Sequence, residues 1–143
     1  MIKLCFVCTG NTCRSVMAER IFKKKIGKQA GKDFKVLSRG LNAKGDNISE
    51  NAKIVLKEMK CSSVNRKSVK LGKIDAQTLY VTMTDPQKEL VPSKKVISMA
   101  SLVGHNICDP YGKDVNSYRQ CAKDIEKGVD ALIEKFSNWR KEL

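Results

Sequence analysis

The chain has 143 residues, 41% apolar and 30% charged, a composition that suits one globular domain (residues 1–143) with its own core. No segment approaches the roughly 18 uninterrupted apolar residues that a membrane span needs. Lysine and arginine number 28 against 15 acids, a net charge of +13, so the field draws in anions, phosphoproteins and nucleic acid alike. Aromatics are only 6% and do not interleave with the basic runs, so the stacking platform of a single-strand binder is missing. No specific nucleic-acid partner is expected, and Lys23, Lys24, Lys25, Lys28 and Lys32 read as solvated faces.

The start, Met1-Ile2-Lys3-Leu4-Cys5-Phe6, has no charged leader before a long apolar stretch. It therefore reads as a first strand, and the chain as cytoplasmic. The six cysteines are then reduced thiols and not a disulfide framework, with Cys5 and Cys121 as core filler and Cys61 and Cys108 unassigned. No Cys/His spacing matches a zinc site, His105 is the single histidine, and neither metal nor cofactor is expected.

In chain order, residues 2–8 predict a short apolar strand. From about Arg14 to Lys28, Met17, Ile21, Phe22 and Ile26 recur at helical spacing. Phe34 to Ser38 reads as a second strand. Ser49 to Met59 reads as a second helix, with Ser49 as N-cap and Ala52, Val55, Leu56 and Met59 inward. Leu79 to Met83 is a third strand. Asp85-Pro86 opens a short helix toward Leu90, with Pro86 at the first position and Asp85 as a cap. Lys95 to Met99 is a fourth, short strand. Tyr118, Cys121, Ala122, Ile125, Val129, Leu132, Ile133 and Phe136 then trace the stripe of a long last helix. Alternating strands and helices predict an α/β three-layer sandwich, a four-stranded parallel sheet with helices on both faces and ligands beyond the strands' carboxyl ends.

At that edge, directly after the first strand, stands Cys8-Thr9-Gly10-Asn11-Thr12-Cys13-Arg14-Ser15. A cysteine, five residues and an arginine that close on a helix N-terminus make a cradle of backbone N–H groups and one guanidinium around a tetrahedral oxyanion. Inorganic phosphate or sulfate should occupy it as readily as a phosphoester. Loop N–H groups and the helix terminus favour the Cys8 thiolate, which can attack phosphorus. Arg14 offers a fork for two equatorial oxygens, which lysine lacks. Gly10 is expected to relieve crowding, Asn11 to tolerate left-handed backbone and brace the loop from outside, Thr12 to stand on the rim, and Ser15 to hydrogen-bond the Cys8 sulfur.

Phosphoryl transfer through a cysteine needs a proton donor. Cys108-Asp109-Pro110-Tyr111-Gly112, after the fourth strand, comes to the same sheet edge, with proline stiffening the backbone beside the acid. Asp109 would protonate the leaving atom and then accept a proton from water. Tyr111 would wall the substrate side chain. Asp85 is the rival acid.

With both motifs in hand, the chain resembles the low-molecular-weight protein-tyrosine-phosphatase family, including its protein-arginine-phosphatase members, over nearly its whole length. Val7 to Ser15, Met17-Ala18-Glu19, Ser38-Arg39-Gly40 and Asp109-Pro110-Tyr111-Gly112 carry the resemblance. It implies a four-stranded parallel sheet, no metal, a phosphocysteine intermediate, and Cys8, Arg14 and Asp109 as nucleophile, phosphate ligand and acid. It also implies that Asn11 and Ser38 hold the loop and that Cys13 protects Cys8 by a reversible disulfide. A monomer acting on phosphorylated proteins is the expectation. Val16 departs from a frequent proline, and Arg66 stands where many members carry a histidine, which puts that histidine's bracing role in doubt. The expected activity is hydrolysis of phosphotyrosine on proteins. Thr12, where many tyrosine phosphatases carry an aliphatic residue, makes phosphoarginine the competing substrate. Arsenate reduction ranks low, because Met83 to Leu90 lacks the two further cysteines it needs. A non-catalytic phosphate or nucleic-acid binding module ranks low too, having no use for Cys8, Arg14, Ser15 and Asp109 together.

Overall fold

The computed structural model describes residues 1–30 and 32–142. Their elements are β1 (Ile2–Cys8), α1 (Arg14–Ala30), β2 (Phe34–Gly40), α2 (Glu50–Glu58), β3 (Thr78–Thr82), α3 (Asp85–Glu89), β4 (Val96–Ser98), α4 (Met99–Val103) and α5 (Val115–Glu142). All strand pairs are parallel, in the order β2-β1-β3-β4. From β1 the chain first adds a strand on one side and later on the other. The carboxyl end of β1 is thus the switch point at which such sheets bind ligands, and it ends at Cys8.

Alternation along β1 sends Leu4, Phe6 and Cys8 into a large core under α1, α2 and α5. Cys5 and Val7 go to a smaller cluster on the second face, with Tyr80, Val91, Leu71 and Ile74. Burial on both faces explains the near-continuous apolar run of the strand. Phe22 of α1 anchors the larger core, with ring centroids 5.8 Å from Phe6 and 5.3 Å from Phe34. Each such burial contributes about 2–3 kcal/mol. Helix α1 breaks its ladder at Gly27, whose φ of 71° favours glycine.

Boundaries differ from the sequence reading in small ways. β3 begins one residue earlier, β4 is three residues long, and α4 was not anticipated. Ser49 sits at the N-cap of α2 without capping it; its hydroxyl donates to the Tyr118 hydroxyl at 2.9 Å. Asp85 is not the cap of α3 either. Thr84 is, in a reciprocal capping box with Gln87.

Candidate active site

The turn from β1 into α1 is held by the polar side chains within it. Asn11 takes the left-handed conformation (φ 55°), which aims its backbone N–H at the Cys8 sulfur, 3.3 Å away. Ser15, in the first turn of α1, places its Oγ 2.9 Å from the same sulfur and accepts a hydrogen bond from Asn11 Nδ2 at 2.8 Å. Cys8 is buried at the base of a cleft of about 490 Å³. Thr9, Gly10, Thr12, Cys13, Arg14, Asp109 and Tyr111 line this cleft, so the site residues expected from sequence meet around one space, with Asn11, Ser15 and Ser38 beneath it.

Two expectations about the loop change. Asn11 is fully buried and braces the loop from beneath, not from outside. A Cβ on Gly10 would make only ordinary contact with Thr12 Oγ1 at 3.6 Å. The glycine crowded against the loop is Gly40, at the end of β2, where a Cβ would lie 2.8 Å from Thr9 O and 2.9 Å from Asn11 Cβ. Close approach of β2 to the loop lets Leu41 N and Asn42 N donate to Cys8 O and Thr9 O, both at 2.9 Å.

Below the loop lies a charged brace that sequence reasoning only partly anticipated. Asn11 Nδ2 also donates to Ser38 Oγ at 3.1 Å, and Ser38 Oγ donates to Glu19 Oε1 at 2.7 Å. Arg66 ties the three together, donating to Asn11 Oδ1 at 3.1 Å, Ser38 Oγ at 2.7 Å and Glu19 Oε1 at 3.3 Å. The doubt raised by the missing histidine is answered by the arginine in its place. Glu19 is 4% exposed. Burial raises its carboxyl, but the Ser38 hydrogen bond and then Lys23 and Arg20 outweigh this and hold it below the usual value. A buried carboxylate on the apolar face of α1 was the signal in the sequence, since it demands a partner.

Arg14 is buried, with Nη1 donating to Ile107 O at 2.9 Å and Nη2 3.6 Å from Asp109 Oδ2. The Ile107 carbonyl thereby fixes the fork. Asp109 accepts from Tyr111 N at 3.1 Å, an Asx turn that sets its direction, and its side chain is 54% exposed, open to an incoming substrate. Tyr111 is 71% exposed, free to cover a substrate side chain. The rival acid Asp85 is instead engaged by the Ser98 hydroxyl. Cys13 is buried, with its thiol 3.3 Å from the Tyr118 hydroxyl and 3.5 Å from Thr12 Oγ1. Burial, the largest influence, pushes that thiol up against both hydrogen bonds, and burial likewise takes Tyr118 to about 12. All six cysteines are free thiols: Cys5 and Cys121 in the core as expected, Cys108 exposed and Cys61 half-buried.

A thiol held by a loop amide and a serine hydroxyl, sharing one cleft with a buried arginine and an aspartate at the carboxyl edge of a parallel α/β sheet, has the layout of a cysteine-dependent phosphatase. Comparison with known proteins agrees. Residues 3–142 match the family model described as low molecular weight phosphotyrosine protein phosphatase. A protein-arginine-phosphatase of Geobacillus stearothermophilus is 33% identical over 94% of this chain and 95% of its own. The low molecular weight protein-tyrosine-phosphatase PtpB of Staphylococcus haemolyticus is 32% identical over 87% and 92%. The solved structure of the YwlE arginine phosphatase from Geobacillus stearothermophilus superposes with a TM-score of 0.87 at 32% identity, covering 99% of this chain and 97% of that one. The chain belongs to the low-molecular-weight phosphotyrosine protein phosphatase family and is a phosphoric monoester hydrolase. Among the described residues, no helix is long and apolar enough to cross a membrane.

Proposed function

We propose that Cys8 attacks the phosphorus of a phosphorylated protein side chain while the loop amides of residues 9–14 and the Arg14 fork hold the equatorial oxygens. In the first step an S–P bond forms, the P–O bond to tyrosine breaks, and Asp109 gives its proton to the departing oxygen. In the second, water attacks the phosphocysteine and gives a proton to Asp109, and Cys8 leaves as thiolate, steadied by the Ser15 hydroxyl 2.9 Å away. The observation that carries this reading is the convergence of Cys8, Arg14 and Asp109 on one open cleft. The same cradle binds inorganic phosphate or sulfate. Work in the reducing cytoplasm fits the free thiols.

Phosphotyrosine is the substrate that the exposed Tyr111 at the mouth serves, as an apolar wall against a phenol ring. Thr12 favours a second reading. Its side chain lines the cleft beside Cys13, offering a hydroxyl where an aliphatic surface would pack on a ring, and it suits the polar guanidine of phosphoarginine. The solved relative named as an arginine phosphatase adds weight to this reading. Rates on matched phosphotyrosine and phosphoarginine peptides, for wild type and Thr12→Ile, decide between them. A shift of preference toward phosphotyrosine in Thr12→Ile supports the role given to Thr12, and an unchanged ratio removes it.

A further inference from the structure

The second face of the sheet carries a basic hollow that the phosphatase reaction does not use. Strand alternation brings Lys3 of β1, Lys35 and Arg39 of β2 and Thr78 and Tyr80 of β3 to this face. Lys3 and Lys35 are direct partners in the parallel register, an arrangement of like charges that costs stability. The segment 69–75 then crosses the face. Its Leu71 and Ile74 pack on Cys5, Val7 and Tyr80, while Lys70 and Lys73 come to the rim.

The result is a cavity of about 310 Å³ with a floor of Cys5, Leu37, Leu71 and Tyr80 and a wall of five cations. One carboxylate, Asp75, faces them. It is already taken by Lys3 at 3.3 Å, Gln77 N at 3.0 Å and Thr78 Oγ1 at 2.9 Å. Among the described residues, Lys35, Arg39, Lys70 and Lys73 have no ion pair. Arg39 spends one N–H on the neighbouring Ser38 carbonyl, at 2.7 Å. Cations gathered around a hollow repel one another, and an anion placed between them converts that repulsion into binding. The volume is that of a small-ligand site and too small for a polymer.

We propose that this hollow is a second anion site, separate from the catalytic loop, for a small molecule carrying two or more linked phosphates. Lysine ammonium groups on three different segments take phosphates as point charges without demanding one geometry. The shared chemistry is the linked phosphate chain, and its source is either a nucleoside polyphosphate, whose base would lie on the apolar floor, or a short inorganic oligophosphate of the size of tripolyphosphate. The inference stands independently of which phosphoamino acid the catalytic site accepts.

The test fills the catalytic loop first with orthovanadate and then titrates ADP or tripolyphosphate calorimetrically at low salt. Binding of either, weakened about tenfold or more in the double variant Lys35→Gln/Lys73→Gln, is the expected result. Turnover of p-nitrophenyl phosphate by that variant should stay at the wild-type level, which reports that it is folded. Tighter binding of ADP identifies the nucleoside source, and tighter binding of tripolyphosphate the inorganic one. Absence of heat from both ligands with the vanadate-loaded protein overturns the proposal, as does full affinity in the double variant.

Discussion

Removing Arg66 tests the brace beneath the catalytic loop. Arg66→Ala takes away three hydrogen bonds into the Asn11, Ser38 and Glu19 cluster and leaves a carboxylate that is 4% exposed with Ser38, Lys23 and Arg20 as its remaining partners. A hydrogen bond to a charged group contributes about 1.5–3 kcal/mol. Arg66 is itself 28% exposed, and water screens part of its interaction. A net loss of roughly 2 kcal/mol follows, which lowers the melting temperature by about 7 °C for a chain of this size. Because Asn11 aims a backbone amide at the sulfur, its loosening also misplaces the loop, and a shift of order 1 Å costs up to about 10² in turnover. Thermal unfolding and kcat on an aryl phosphate, measured on wild type, Arg66→Ala and Arg66→Lys, read both effects. Lysine restores charge without the fork and should recover less than half of the lost stability. An Arg66→Ala protein that melts within about 1 °C of wild type, with unchanged kcat, refutes the reasoning.

Further predictions concern the acid, the sulfur's partner, the loop's neighbour and pH. Asp109→Asn should slow turnover of esters with poor leaving groups by about 10²–10⁴ and those with good ones far less, so a flat leaving-group series would remove Asp109 from the acid role. Ser15→Ala removes the hydroxyl 2.9 Å from Cys8 and should slow breakdown of the phosphocysteine by about tenfold, seen as a larger burst relative to the steady state. Gly40→Ala drives a Cβ to 2.8 Å from Thr9 O and should destabilise the protein by about 1–3 kcal/mol while lowering kcat; wild-type melting would show that β2 and the loop yield freely. The Glu19 carboxyl is held below its ordinary 4.5, so the stability it adds is full above that pH and is lost as the pH falls through the lower folded value. The gap in melting temperature between wild type and Glu19→Gln should therefore be constant from neutral pH down to about 4.5 and close below it. A gap that persists unchanged into acid would contradict this.

The meeting of the cysteine–arginine loop with Asp109, on which the proposed mechanism rests, was legible because its signals are local. A strand, the Cys8 to Arg14 spacing and a helix start are contiguous, and Asp109-Pro110 carries its own turn signal. Periodicity found the four strands and the long α5, since burial on one stripe leaves a pattern in the sequence. What escaped depends on contacts distant in the chain. Arg66 lies in an irregular segment 47 residues from Glu19, and no local pattern announces that the two meet. The Ser49 hydroxyl leaves its capping position for Tyr118, 69 residues on, because that partner lies where the last helix packs. The crowding at Gly40 is likewise set by the approach of β2 to the loop and not by anything within the loop.

The central claim is that Cys8 carries the phosphoryl group between substrate and water. Rapid acid quench of Asp109→Asn during turnover of an aryl phosphate, followed by peptide mass spectrometry, should find the phosphoryl adduct on Cys8, and Cys8→Ser should lose turnover. An adduct on another residue, or full turnover by Cys8→Ser, would contradict the account.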